Sequence, residues 1–157
     1  MAVDFYLDLG DIKGESKDEK HKDQIQVMSF SWGGSQQTTV SGAGGSGAGK
    51  VSLSDFSVMK SFDKASPKLL TAMCKGTHIA KGTLTGVKAG DTGDYLKIEF
   101  GELFVTSIQV SASSEVPMES VSFSYNTADL TYKMQDDKGT LQAAGTWKYD
   151  LKANKVS

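Results

Sequence analysis

At 157 residues the chain has room for one domain that buries roughly two-thirds of its unfolded surface. Its 17 Lys and Arg stand against 19 Asp and Glu, a net charge of −2, which leaves no basic footprint for nucleic acid or an anionic membrane. A single cysteine, Cys74, excludes an internal disulfide, and the acidic residues in the opening MAVDFYLDLGD leave no apolar run long enough for a signal peptide or a membrane span.

Val3, Phe5, Leu7 and Leu9 alternate with Asp4, Tyr6 and Asp8, the period of a half-buried strand. Residues 10–23 read as a long polar connection, and the KDEKHKD run within it as solvated loop. A second strand covers residues 24–32. Its apolar set shifts phase, from Ile25 and Val27 to Met28, Phe30 and Trp32, which a bulge or a strand covered on both faces explains. Residues 33–50, GGSQQTTVSGAGGSGAGK, are so poor in hydrophobics that they read as a glycine-rich extended loop. Strand pattern resumes over residues 51–59, again with a phase shift between Leu53 and Phe56.

The one helical signal follows, at residues 66–75. Ser66 suits the cap, Pro67 the first helical position and Gly76 a left-handed end. Leu69, Leu70, Met73 and Cys74 form an apolar stripe that needs a sheet to lie against. Residues 80–88 and 95–110 read as strands, with Gly101 the natural bend in the second. Residues 120–125 alternate Val121, Phe123 and Tyr125 with three serines, and strands at 128–134 and 144–151 close the chain. Many short strands and one helix predict a single mainly β domain over residues 1–157, a barrel or a sandwich.

The candidate chemistry is thin. GGSGAGKV contains G-x-x-x-x-G-K, but Val51 stands where a phosphate-binding loop needs Ser or Thr, and a strand pattern follows where it needs a helix. His21 and His78 have no partner at a metal-binding spacing. Cys74, with His78 as its base, would be a nucleophile, yet its place in the apolar stripe makes it a small buried hydrophobe. Asp136 and Asp137 are neighbours in a turn and point apart, the wrong geometry for an acid–base pair. What stands out is the polar side of the strands. Ser29 and Ser31, Ser52 and Ser54, Thr83 and Thr85, and Ser120, Ser122 and Ser124 carry small hydroxyls where a solvent-facing sheet usually carries Lys and Glu. Such a face is either a solvent-facing one of unusual composition or one that lies inside an assembly, towards a channel or a neighbouring subunit.

The runs GESKDEKHKDQIQVMSFSWG at residues 14–33 and VSLSDFSVMKSFDKASPKLLTAMCKGTH at residues 51–78, with K-x-x-D-x-x-S-P-x-L inside the second, resemble the Hcp family, the tail-tube proteins of the bacterial type VI secretion system. YLKIEF, FVTSIQVSA and PMESVSFSY extend the likeness over nearly the whole chain. The resemblance implies an antiparallel β-barrel with one flanking short helix. It implies homo-hexameric rings stacked into a tube inside a sheath, with effectors in the lumen and a VgrG-like spike protein at the tip. It also implies a protein of the cytoplasm that is exported through its own machine and is not an enzyme; with the charge, the apolar runs and the histidine spacing read above, no cofactor, bound metal, nucleic acid or membrane insertion is expected. The resemblance further implies that the strand ending FSWG contributes to the inner wall, which makes Ser29 and Ser31 the lumen-facing candidates. In the variable loop, Gln36, Gln37, Thr38 and Thr39 can pair with a neighbour's edge, and Gly42, Gly44, Gly45, Gly47 and Gly49 allow close approach, so these are the ring-stacking candidates. The chief alternative is a monomeric β-barrel carrier with a small ligand inside its barrel, and a remoter one a hydrolase using Cys74. A carrier needs an apolar pocket in the barrel.

Overall fold

The computed structural model describes residues 3–41, 45–88, 93–113 and 115–157, with the backbone alone described for the strand residues among 39–49. Among the described residues, twelve strands and one helix run in the order β1 (Val3–Asp8), β2 (Ile25–Val27), β3 (Ser29–Ser31), β4 (Gly34–Ser41), β5 (Gly45–Leu53), β6 (Phe56–Ser61), α1 (Ser66–Lys75), β7 (Ile79–Lys88), β8 (Asp94–Ser111), β9 (Met118–Ser124), β10 (Thr127–Gln135), β11 (Leu141–Asp150) and β12 (Lys155–Val156). Every pairing is antiparallel.

The pairings follow a circuit. β2 pairs β1, β1 pairs β7, β7 pairs β8, β8 pairs β9, β9 pairs β6 and β6 pairs β3. The chain itself closes the circuit at Met28, whose N–H donates to the Met59 carbonyl at 2.8 Å between β2 and β3. This is the antiparallel barrel. The phase shift within residues 24–32 marks the residue at which one strand leaves β1 and joins β6. β8 is also shared. Its first half lies between β7 and β10, and from Phe104 onward it pairs β9. That change of partner falls next to Gly101 and to Glu102, which adopts φ 55°. β10, β11 and β12 continue outward from β8 as a flange.

The inward positions of the strands fill the barrel. Phe56, Phe100 and Phe123 are all 0% exposed, and Phe56 stacks on Phe100 at a centroid distance of 4.5 Å. Leu84, Ile98 and Leu103 are equally dry. The polar connection over residues 10–23 is more ordered than its composition suggests. It folds back on itself, Gly14 N–H donating to Asp23 O at 2.8 Å, and buries His21 flat against Tyr6 with centroids 4.6 Å apart. The histidine ring also meets Gln24 and Asp94, so a stretch read as solvated covers the outer side of β1.

The helix starts and ends almost where the sequence places it, with Gly76 at φ 64° closing its last turn. Its buried face is rotated. Ala65, Leu69 and Ala72 are dry, and Leu70 and Met73 are half-buried at its flank. Cys74 is exposed, not buried as the stripe suggests. At about 100° per residue, Cys74 lies some 200° round the helix from Ala72. Ser66 is not the cap either. Ala65 takes that position and has no polar side chain to cap with, while the Ser66 hydroxyl is engaged inside the protein. It donates to Glu119 Oε1 at 2.6 Å and accepts from Lys60 Nζ at 3.1 Å. Lys60 Nζ also donates to Asp63 Oδ1 at 2.9 Å and to Glu119 Oε1. Lys60 and Glu119 are both 0% exposed, so an ionic cluster within the core ties α1 to β6 and β9.

Candidate functional site

The serines converge on one surface. β3, β6, β9 and the second half of β8 form a four-stranded sheet whose inward row is Phe30, Val58, Val121 and Ile108. Because side chains alternate along each strand, the adjacent row points outward. It reads Ser31, Ser57, Ser122, Ser107 across the four strands, a line of hydroxyls roughly 14 Å long at ordinary strand spacing. The Ser57 and Ser122 hydroxyls bond each other at 2.7 Å. The next outward row is Ser29, Met59, Ser120, Gln109, and a third joins Ser61, Met118 and Ser111. Ser29 and Ser31 are exposed, as is Met59, at 38%.

None of these outward positions is ionisable, although 23% of the chain is charged. The surface ion pairs lie on the other sheet and on the flange. Glu99 meets Lys97 at 3.1 Å and Lys81 at 3.3 Å, and Lys148 meets Asp129 at 3.6 Å. There, burial pushes the Glu99 carboxyl up, but the hydrogen bonds and charges of Lys97 and Lys81 outweigh it and hold it below its ordinary value. Thr83 and Thr85 belong to that charged sheet, with Thr85 buried, so they are not part of the serine face. Ser52 lies on β5 and Ser54 just after it.

Sequence reasoning named the serines of β3 and β9 but missed Ser57, Ser107, Met59 and Gln109. The alternation in FSVMKS, with Phe56 and Val58 inward, held the clue to Ser57 and Met59. For Ser107 the clue was broken by a register shift between Val105 and Ser107. The odd residue of that shift, Thr106, donates to Asp55 Oδ2 at 2.8 Å.

Residues 33–50, read as loop, are mostly strand. β4 and β5 form a two-stranded ladder from the Gly34–Leu53 pair to the Ser41–Gly45 pair, and they pair with no other described strand. The composition conceals this because a ladder needs only backbone groups. Gln36, Gln37 and Thr38 are exposed on β4, and Thr39 is placed on the same strand. Gly45, Gly47 and Gly49 lie on β5, whereas Gly42 and Gly44 fall outside the described residues. Lys50, the lysine of the G-x-x-x-x-G-K match, also sits within β5 and not at a helix start. His78 lies against Phe104, with ring centroids 5.5 Å apart. Among the described residues no three His, Cys, Asp or Glu side chains gather as metal ligands, and no helix is long and apolar enough to cross a membrane.

Known proteins share this fold. Residues 6–132 match the family described as type VI secretion system effector, Hcp. The chain is 37% identical over 153 residues to the protein hcp1 of Pseudomonas aeruginosa, covering 95% of this chain and 94% of the relative. A solved structure of a type six secretion system protein superposes with a TM-score of 0.92 at 33% identity, over 99% of this chain and all of the other. Hcp1 from Salmonella typhimurium superposes at 0.81 with 34% identity, over the full length of both chains. With most of its length matched by the family and by close relatives, this chain belongs to the Hcp family of type VI secretion proteins.

Proposed function

We propose that the chain is a structural subunit of a type VI secretion tube. Copies close into hexameric rings, the rings stack, and the serine face lines a lumen through which effectors pass. The observation that carries this reading is the segregated, uncharged outer face of the β3–β6–β9–β8 sheet. A wall of hydroxyls and thioethers touches cargo weakly and without regard to the sign of its charge, whereas a charged wall would retain one kind and repel the other. The same sheet has two open edges. Among the described residues β3 pairs only β6, and β8 beyond Leu103 pairs only β9, so a neighbouring copy can extend the sheet on either side.

The β4–β5 arm suits ring-to-ring contact. It stands apart from the barrel ladders with polar, exposed side chains on β4, including Gln36, Gln37 and Thr38. Sheath, spike and effector proteins are the partners such a tube requires, and its path leads from the cytoplasm to the cell exterior. The carrier reading has little room, because the barrel interior is occupied by Phe56, Phe100, Phe123 and Leu84.

Two variants test the assignment. Ser31→Gln should leave rings intact on a sizing column and lower the retention of a cargo protein within them. Rings that fail to form would instead place Ser31 in a subunit contact. Replacing residues 41–49 by a short Gly-Ser bridge should give hexamers that no longer stack, seen by electron microscopy. Tubes of parental length from the shortened protein would remove the arm from stacking.

A further inference from the structure

The β4–β5 arm has no ladder to the barrel among the described residues, so its direction is set at its stem. A lone two-stranded ladder is marginal in water and cannot orient itself. The stem is closely built. Ser54 N–H donates to the Gly33 carbonyl at 2.8 Å, and Gly33 N–H donates to Ser54 Oγ at 3.0 Å. A Cβ on Gly34 would lie 2.7 Å from Leu53 and 2.9 Å from the Ser52 carbonyl, so the two strands meet there at a distance only glycine allows.

The stem packs on the core through Trp32 and Leu53, and one hydroxyl bridges its two sides. Tyr125, just after β9 where the flange departs, is 8% exposed. Its OH donates to the Ser54 carbonyl at 2.8 Å and accepts from Trp32 Nε1. The two groups it joins flank the two ends of the arm, Trp32 before β4 and Ser54 after β5. The rings on either side are fixed. Trp32 stands edge-on to Phe100 at 5.5 Å, and Tyr125 lies 4.8 Å from the same Phe100. Burial pushes the Tyr125 phenol above its ordinary value, in keeping with a hydroxyl that stays protonated and donating.

We infer that Tyr125 is a positioning residue for the arm: its hydroxyl, held between Trp32 and Ser54, sets the angle at which β4–β5 leaves the barrel and hence where it meets a neighbouring ring. This rests on the reading of the arm as the stacking element. Tyr125→Phe removes the hydroxyl and keeps the ring. Tyr149→Phe, which removes a hydroxyl bonded to Asn154 on the flange, is the control.

In hydrogen–deuterium exchange on the full chain, backbone amides of the stem on either side of the arm should exchange about fivefold faster in Tyr125→Phe, the factor one net hydrogen bond is worth. They should be unchanged in Tyr149→Phe. Both variants should form rings, and Tyr125→Phe should form fewer and shorter tubes. Parental stem exchange in Tyr125→Phe, or parental tube length, overturns the inference. If Tyr125→Phe does not fold, Trp32→Phe removes the other side of the relay and is read in the same way. The shortened-arm variant separates the two claims. Tubes without the arm refute the stacking reading, whereas loss of tubes on shortening with normal tubes from Tyr125→Phe refutes the inference alone.

Discussion

The buried ionic cluster under α1 gives a prediction whose size follows from the geometry. Glu119→Gln removes the negative partner of Lys60 while keeping shape and volume. Breaking a buried pair from one side costs about 3–5 kcal/mol, because the remaining charge is stranded. Lys60 would retain Asp63 Oδ1 at 2.9 Å, so the lower end, about 3 kcal/mol, applies. Lys60→Met strands the other partner more severely. Glu119 would keep only the Ser66 hydroxyl, and its Oε2 is already buried without a hydrogen-bond partner in the structure, so the upper end, about 5 kcal/mol, applies. The double variant Lys60→Met with Glu119→Leu leaves no charge stranded between β6 and β9 and should recover most of the loss. Urea unfolding at one fixed protein concentration, followed by far-UV circular dichroism, measures all three, since assembly would otherwise shift the apparent stability. Single variants within about 1 kcal/mol of the parent, or a double variant as unstable as the sum of the two, would refute the account of the cluster.

Leu69→Ala should cost about 2–5 kcal/mol, and half-buried Leu70→Ala clearly less; equal losses would mean that the helix is rotated differently from the structure. Because the Glu99 carboxyl is held below its ordinary value in the folded state, its contribution to stability is present above the unfolded-state value and lost as pH falls through the folded-state one. Glu99→Gln should therefore flatten the acid limb of a stability–pH profile below about pH 4.5, and an unchanged limb would remove Glu99 as a contributor.

Much of this fold is legible in the residues because the local rules agree with one another. The period-two alternation in β1 and β9, and the Pro67 and Gly76 punctuation of α1, each report a structure that short-range chemistry already favours. The misreadings arise where long-range partners decide. Composition hid the β4–β5 ladder because backbone pairing leaves no hydrophobic trace. The stripe places Cys74 in the core because a helix stripe has a width but no marked centre, and only packing against the barrel chooses which residues are dry. Ser66 read as a cap because Ser usually is one, until Lys60 and Glu119 claimed its hydroxyl. The serine face was half legible. The serines of β3 and β9 could be named, but their alignment with Ser57 and Ser107 is a matter of register between strands distant in sequence.

The claim that the chain is a ring-forming tube subunit is tested most directly by its mass in solution. Light scattering on a sizing column should give six times the 16.8 kDa chain mass, about 101 kDa, at micromolar concentration. A mass of 16.8 kDa at every micromolar concentration tried would contradict it.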